Sequence, residues 1–232
     1  MPTLPLVFEC GFEDGTLGAF DAETDTESKL SFPHYSLLAK TMPYPTAVPY
    51  RGAYAMHINL ALGAADAYVQ ENTGFDTAAP GLVALRMYFW ASGLTMAASD
   101  RFTIAILESA GPVGEAAISV LNNAGTIQLI FAQTGATAVG ATTRGTDLIQ
   151  NQWHCLEIVS VINAGAGTIT AFVDGYQLGA AITTLTNAAL TQARFGAIDI
   201  DVGTTAGHLL FDDIAGDTVR VGPLSRRFSD QR

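Results

Sequence analysis

The chain has 232 residues, with 11 Lys and Arg against 22 Asp and Glu, a net charge of −11, and only 14% charged residues beside 49% hydrophobic ones. That much apolar sequence can build one sizeable core, which excludes a disordered chain and makes a single domain the expectation. The acidic balance would repel a phosphate backbone, and no basic stripe with interleaved aromatics runs through it, so nucleic acid is excluded as a partner.

The first residues, Met1-Pro2-Thr3-Leu4-Pro5, have neither the positive start nor the long apolar stretch of a secretory signal, and no run approaches the ~18 apolar residues of a membrane span. Synthesis in a cytoplasm and no membrane partner are therefore expected. From there the dominant period is two. Alternating or β-branched runs bounded by Gly, Pro, Asn or Asp predict short strands at 5–10, 53–60, 66–71, 82–91, 101–108, 115–121, 126–131, 153–161, 168–173, 192–200, 207–214 and 217–221. The 23 glycines and many Thr and Val residues interrupt every 3.6-residue stripe, so no helix is predicted. Asp174-Gly175 is the strongest turn signal, because both central positions of a type I′ hairpin turn need positive φ; Asn122–Gly125 and Asn163–Gly167 are predicted to be looser hairpin loops. An all-β, antiparallel two-sheet sandwich follows.

Residues 22–50 break the pattern. They are acidic first and then hold Pro33, Pro43, Pro45 and Pro49 within 17 positions, which predicts a long loop, or an extended arm that reaches over a neighbour. Charge is also uneven along the chain. Seven acids and no base lie in residues 9–27, while Arg220, Arg226, Arg227 and Arg232 crowd the last 13. The organisation expected is one domain over 1–221 followed by a basic tail at 222–232 that docks on opposite charge, within the molecule or on a neighbour. Cys10 and Cys155 fall in apolar runs and are expected to be reduced and buried.

Four stretches together resemble the concanavalin A-like lectin/glucanase superfamily in its laminin-G-like branch, common in bacterial and phage proteins. They are Phe8–Gly15; Pro49–Ile58; Trp153–Ile158 with Gly167–Gly175; and Arg194–Ala197 with Leu210–Ile214. The resemblance implies a jelly roll with one concave sheet. It is a fold that carries glycan-binding modules, hydrolases, lyases and virion domains alike, so it does not choose a function. Relatives hold a structural calcium ion between the N-terminal turn and the last strands, which maps onto Glu13, Asp14, Asp212 and Asp213; hard oxygen ligands suit calcium.

The glucanases of this superfamily carry Glu, Asp and Glu at alternate positions of one strand. The nearest match is Ala197-Ile-Asp199-Ile-Asp201, where Ala197 stands at the nucleophile's position; glycoside hydrolysis needs both carboxylates, so no catalytic set is assigned. A lyase would need a Tyr or His base beside a neutralising cation, whereas His34, His57, His154 and His208 are scattered with no metal-ligand spacing. Tyr54, Tyr68, Tyr88 and Trp90 are the candidates for stacking on a sugar, although Met87–Trp90 also reads as a buried strand.

The leading expectation is a non-enzymatic structural protein of a virus particle, such as a phage capsid decoration protein. It would be assembled in the host cytoplasm and bind capsid proteins and sister subunits through the prolines of 22–50 and the arginines of the tail. The alternative is a carbohydrate-binding module, or a weak polysaccharide-active enzyme, using the concave sheet; a phage fibre or receptor-binding domain would unite the two.

Overall fold

A computed structural model describes residues 8–18, 20–41, 49–72, 81–109, 113–133, 143–163, 166–185, 190–201 and 205–224. Sixteen strands follow in order: β1 Phe8–Cys10, β2 Ala22–Asp25, β3 Leu30–Ser31, β4 Met56–Asn59, β5 Ala67–Glu71, β6 Gly81–Thr95, β7 Arg101–Ser109, β8 Val113–Asn123, β9 Thr126–Ala132, β10 Thr143–Asp147, β11 Trp153–Ile162, β12 Gly167–Val173, β13 Tyr176–Gln177, β14 Ile182–Leu185, β15 Leu190–Ile198 and β16 Ala206–Asp217. They form two antiparallel sheets. The larger runs β13-β12-β11-β6-β16-β4-β3, with β1 on β16 and β14 on β12; the smaller runs β10-β9-β8-β7-β15-β5-β2. The all-β two-sheet sandwich is thus the fold.

Alternation builds the core. Val83, Leu85, Met87 and Phe89 of β6 meet Phe102, Ile104 and Leu107 of β7, with Phe131, Phe195 and Phe211 among them, all buried in one cluster. The turn at Asp174-Gly175 takes φ of +52° and +87°, as a type I′ hairpin requires. The 122–125 loop is tighter than expected: Asn123 pairs with Thr126, Ala124 and Gly125 both have positive φ, and Asn122 Oδ1 accepts the Gly125 N–H at 2.7 Å.

Two expectations are corrected. A helix, α1 (Tyr35–Thr41), lies inside the proline-spaced segment. Its Leu38 is buried against Trp90 and Leu210 on the outer face of the larger sheet, where that apolar patch rewards helix formation. Residues 22–41 are therefore not an arm reaching away: β2 pairs with β5 and β3 with β4. Pro33 is half-buried and Pro49 buried, while Pro43 and Pro45 lie outside the described residues.

The second correction concerns 217–221. Past Asp217 the chain leaves the sheet and crosses the outer face of the larger sheet as a strap, so 217–221 is not a separate strand. Arg220 Nε donates to Glu157 Oε2 at 2.6 Å and the Gly222 N–H to Glu157 Oε1 at 2.8 Å. The Leu224 N–H donates to the Tyr88 hydroxyl at 2.7 Å. Arg220 thus docks on opposite charge within its own chain, one of the two placements expected of the basic tail. Arg226, Arg227 and Arg232 lie outside the described residues.

Candidate functional site

With helix and strap on the larger sheet, the outer face of the smaller sheet is where polar side chains gather. On β15 the core takes Ala193, Phe195 and Ala197, so Gln192, Arg194 and Ile198 point the other way. Register sets Arg194 opposite Gln70 of β5 and Ile106 of β7, and Gln192 opposite Glu108. The result is a continuous network. Arg194 holds Glu108 with two parallel bonds, Nε to Oε2 at 2.8 Å and Nη2 to Oε1. Gln192 Nε2 also donates to Glu108 Oε2 at 2.5 Å, and Gln70 Nε2 reaches Gln192 Oε1 at 3.4 Å and Asn72 Oδ1 at 2.6 Å.

Tyr68 closes one side of this network, its ring 5.0 Å from the Arg194 guanidinium carbon, and packs with Ile106, Ala117 and Ile198. Burial works against the charge on Arg194, but Glu108 and Tyr68 outweigh it and hold the guanidinium above its ordinary pKa. Further along the face, Thr103 and Ser119 hydroxyls meet at 3.0 Å. A bidentate ion pair fixes both partners in orientation, so the buried Glu108 sets the half-buried amides, guanidinium and aromatic ring in advance of any ligand.

Of the four aromatic candidates only Tyr68 is on this face. Trp90 is fully buried under Leu38. Tyr88 stacks on Tyr50 at 3.5 Å beneath the strap. Tyr54 packs against the core and edge-on to His34. Alternation along one strand shows which residues share a face, but not which of two sheets, or which covering segment, that face meets. Gln70, Glu108, Gln192 and Arg194 escaped the sequence reading because their meeting depends on register between strands up to 122 residues apart.

The glucanase-like stretch runs off the end of β15 at Ile198. Ala197 is wholly buried in the core. Asp199 sits past the strand end at φ +49°, its N–H bound by Asp66 Oδ1 at 2.9 Å. Asp201 Oδ2 accepts the Arg101 N–H at 2.9 Å.

Of the four calcium candidates Glu13 and Asp213 meet at Gly11, with Asp212 next to Asp213 in the chain. A Cβ on Gly11 would lie 3.5 Å from Glu13 Oε1 and 3.8 Å from Asp213 Oδ1, and Asp212 and Asp213 sit in the irregularity of β16. Asp14 is elsewhere, its carboxylate exposed and accepting the Thr16 N–H at 3.0 Å in its own turn. The gathered oxygens are engaged as loop anchors. Asp212 accepts the Arg51 N–H at 2.9 Å and the Asp213 N–H at 2.7 Å, and Glu13 Oε2 accepts the Ala53 N–H at 3.1 Å. Burial, with the charges of Asp213 and Glu13, raises the Asp212 pKa well above the carboxylate range, against the Arg51 N–H. Asp213 Oδ2 alone is buried without a partner, while Oδ1 faces Arg51 at 3.8 Å. Calcium takes six to eight oxygens, and among the described residues no three His, Cys, Asp or Glu side chains are grouped to hold a metal ion. The residues in this arrangement do not fit a resident calcium ion.

Neither cysteine is in a disulfide and both are buried; burial lifts the Cys155 thiol to about 11, which leaves it inert at neutral pH.

No protein-family model and no curated protein sequence matches the chain. Solved structures match in fold. A cellulose-induced protein, Cip1, superposes with a TM-score of 0.62 at 15% identity, over 94% of this chain and all of that one. A conserved carbohydrate esterase from the Shiga toxin-encoding bacteriophage phi24B gives 0.62 at 16% identity over 91% and 97%. The binding domain of botulinum neurotoxin serotype G gives 0.56 at 10% identity, over 94% of this chain and 49% of that one. At these identities the likeness is one of fold, compatible with a concanavalin-like jelly roll.

Proposed function

We propose that the chain is a non-enzymatic glycan-binding β-sandwich that presents the outer face of its smaller sheet to carbohydrate. The observation that carries this is the network of Arg194, Glu108, Gln192 and Gln70 beside Tyr68. Sugars are bound by polar side chains held ready for their hydroxyls, next to an aromatic surface; here the buried Glu108 holds the half-buried Arg194 and Gln192 in place beside Tyr68 and Gln70. Three of the fold relatives are a cellulose-induced protein, a carbohydrate esterase and a toxin binding domain, which agrees with a carbohydrate-facing role. Binding is favoured over chemistry for two reasons: the hydrolase-like stretch turns Ala197 into the core, and the guanidinium that would neutralise a uronic acid in a lyase is already committed to Glu108.

The test is an array of neutral and acidic oligosaccharides followed by calorimetric titration of whichever binds. Tyr68→Ala and Gln192→Ala are expected to weaken binding roughly three- to tenfold each, the worth of one aromatic or hydrogen-bonded contact. Tyr176→Ala, at an exposed hairpin tip on the other sheet, is expected to leave it unchanged. An array without binders, or equal binding by Tyr68→Ala, would refute the reading.

A structural place on a virus particle, with capsid proteins or sister subunits as partners, is the second reading. The low charge of the chain and the fold it shares with a bacteriophage protein support it. Against it, the strands of 22–31 pair within the sandwich and Arg220 is bonded to Glu157 of its own chain. Light scattering separates the two: a monomer is expected of the binding module, a homo-oligomer of the particle protein.

A further inference from the structure

On the outer face of the larger sheet, away from the face just assigned, three side chains from three strands form a line. His57 of β4 is the register partner of Ser31 in β3 and of Leu210 in β16. His208 stands two residues before Leu210, so the two imidazoles meet on the diagonal, His57 Nε2 lying 3.1 Å from His208 Nδ1 with the ring planes 22° apart. Ser31 Oγ lies 3.2 Å from the other nitrogen of His57, Nδ1. On the same face, register sets Ser92 of β6 opposite His208; its Oγ is buried without a hydrogen-bond partner.

We propose that His57 and His208 are the two protein ligands of a site for a borderline divalent transition-metal ion of the zinc class, with Ser31 fixing the ligating tautomer and water filling the remaining positions. Two nitrogens bound to one ion at ~2.0–2.1 Å, at the angles of square or tetrahedral coordination, stand about 2.9–3.4 Å apart. The 3.1 Å between these nitrogens is in that range. Imidazole suits zinc, copper and nickel better than calcium or magnesium.

Each ligand must also offer a lone pair. When Ser31 Oγ accepts the Nδ1–H of His57, the lone pair of that ring is on Nε2, facing His208. Without metal, His208 Nδ1–H donates to it. When the ion enters, the His208 proton moves to its own Nε2, Nδ1 turns its lone pair to the ion, and the proton count of the pair is unchanged. An imidazole of ordinary pKa, ~6.5, is already mostly in the neutral, ligating form at pH 7. The ion would clip β4 to β16, and through Ser31 would also hold the β3 edge of segment 22–41.

Calorimetric titration of the full chain with zinc chloride at pH 7 tests this. The expected result is one ion per chain. Binding should be lost in His57→Ala and in His208→Gln, which keeps a hydrogen-bonding group of similar reach. Ser31→Ala should weaken it about 10- to 100-fold, as loss of the group behind a metal-bound imidazole does. His34→Ala, on another part of the chain, should bind as the parent does. Melting curves without metal confirm that each variant is folded. No saturable binding by the parent, or unchanged stoichiometry and affinity in folded His208→Gln, would overturn the proposal.

Discussion

Arg220→Ala tests whether the strap is part of the fold's stability or merely lies on it. The Glu157 side chain is 2% exposed and takes one bond from Arg220 at 2.6 Å and one from the Gly222 N–H at 2.8 Å. Removing the guanidinium strands a buried carboxylate with one donor left. Breaking one side of a buried pair costs about 3–5 kcal/mol; Arg220 is 41% exposed on its own side and Gly222 still donates, which puts the expected loss near the lower bound. The guanidinium also lies 3.7 Å from the centre of the Phe172 ring, a contact worth about 0.5–1 kcal/mol at a partly exposed site. Together these give roughly 3–4 kcal/mol. For a domain of this size that is about 6–16 °C in Tm, at ~2–4 °C per kcal/mol. Urea unfolding should show a lower midpoint with unchanged slope. The double variant Arg220→Ala/Glu157→Leu removes the stranded charge and should recover at least half of the loss. A single variant within about 0.5 kcal/mol of the parent, or a double variant no better than the single, would refute the buried-pair argument.

His154 gives a prediction in pH. Its Nδ1 faces Asp174 Oδ2 at 3.1 Å and its Nε2 faces the Ile149 carbonyl at 2.9 Å, so the doubly protonated ring satisfies both acceptors. Burial pulls the pKa down, but Asp174 and the carbonyl outweigh it and raise it above 6.5. The Asp174 carboxyl is pushed up by burial, yet lowered overall by His154 and the Cys155 N–H. The histidine's stabilisation is fully present below about pH 6.5 and is lost as pH rises through its raised folded value; the aspartate's is present above about pH 4 and is lost as pH falls through its lowered one. Stability should therefore decline from pH 6 to 9 in the parent and less so in Asp174→Asn, and a proton NMR titration should place His154 above 6.5; a value at or below that would refute it. For the acidic cluster around Gly11, EDTA followed by excess calcium should leave the melting temperature unchanged, and a rise on adding calcium would show that those carboxylates rearrange around an ion.

What could be read in the sequence was what depends on neighbours along the chain. Strand positions follow from alternation, and the Asp174-Gly175 turn follows from a conformational demand that two residues carry by themselves. The helix at 35–41 was hidden because Tyr-Ser-Leu-Leu-Ala-Lys-Thr is too short to show a stripe, and its stability comes from Leu38 meeting Trp90 and Leu210, partners 52 and 172 positions away. The same non-locality decides the site. β6 places Arg86, Tyr88 and Trp90 on its outer side, where an aromatic run invites a sugar-stacking interpretation. Helix and strap, however, cover this outer side, leaving Trp90 and Arg86 almost wholly buried. Which opposite charge Arg220 would meet was not legible, because its partner, Glu157, sits in an apolar run where a carboxylate has no evident use. Both residues make sense only together, since an acid in the middle of β11 is tolerable when a cation and a backbone N–H arrive to meet it. Covering one sheet in this way leaves the opposite outer face, with Tyr68 and the Arg194–Glu108 pair, as the place where polar groups are held in order without forming a clasp for the chain's own ends. That distinction, more than the presence of aromatics, is why the glycan-binding proposal rests on β5, β7 and β15.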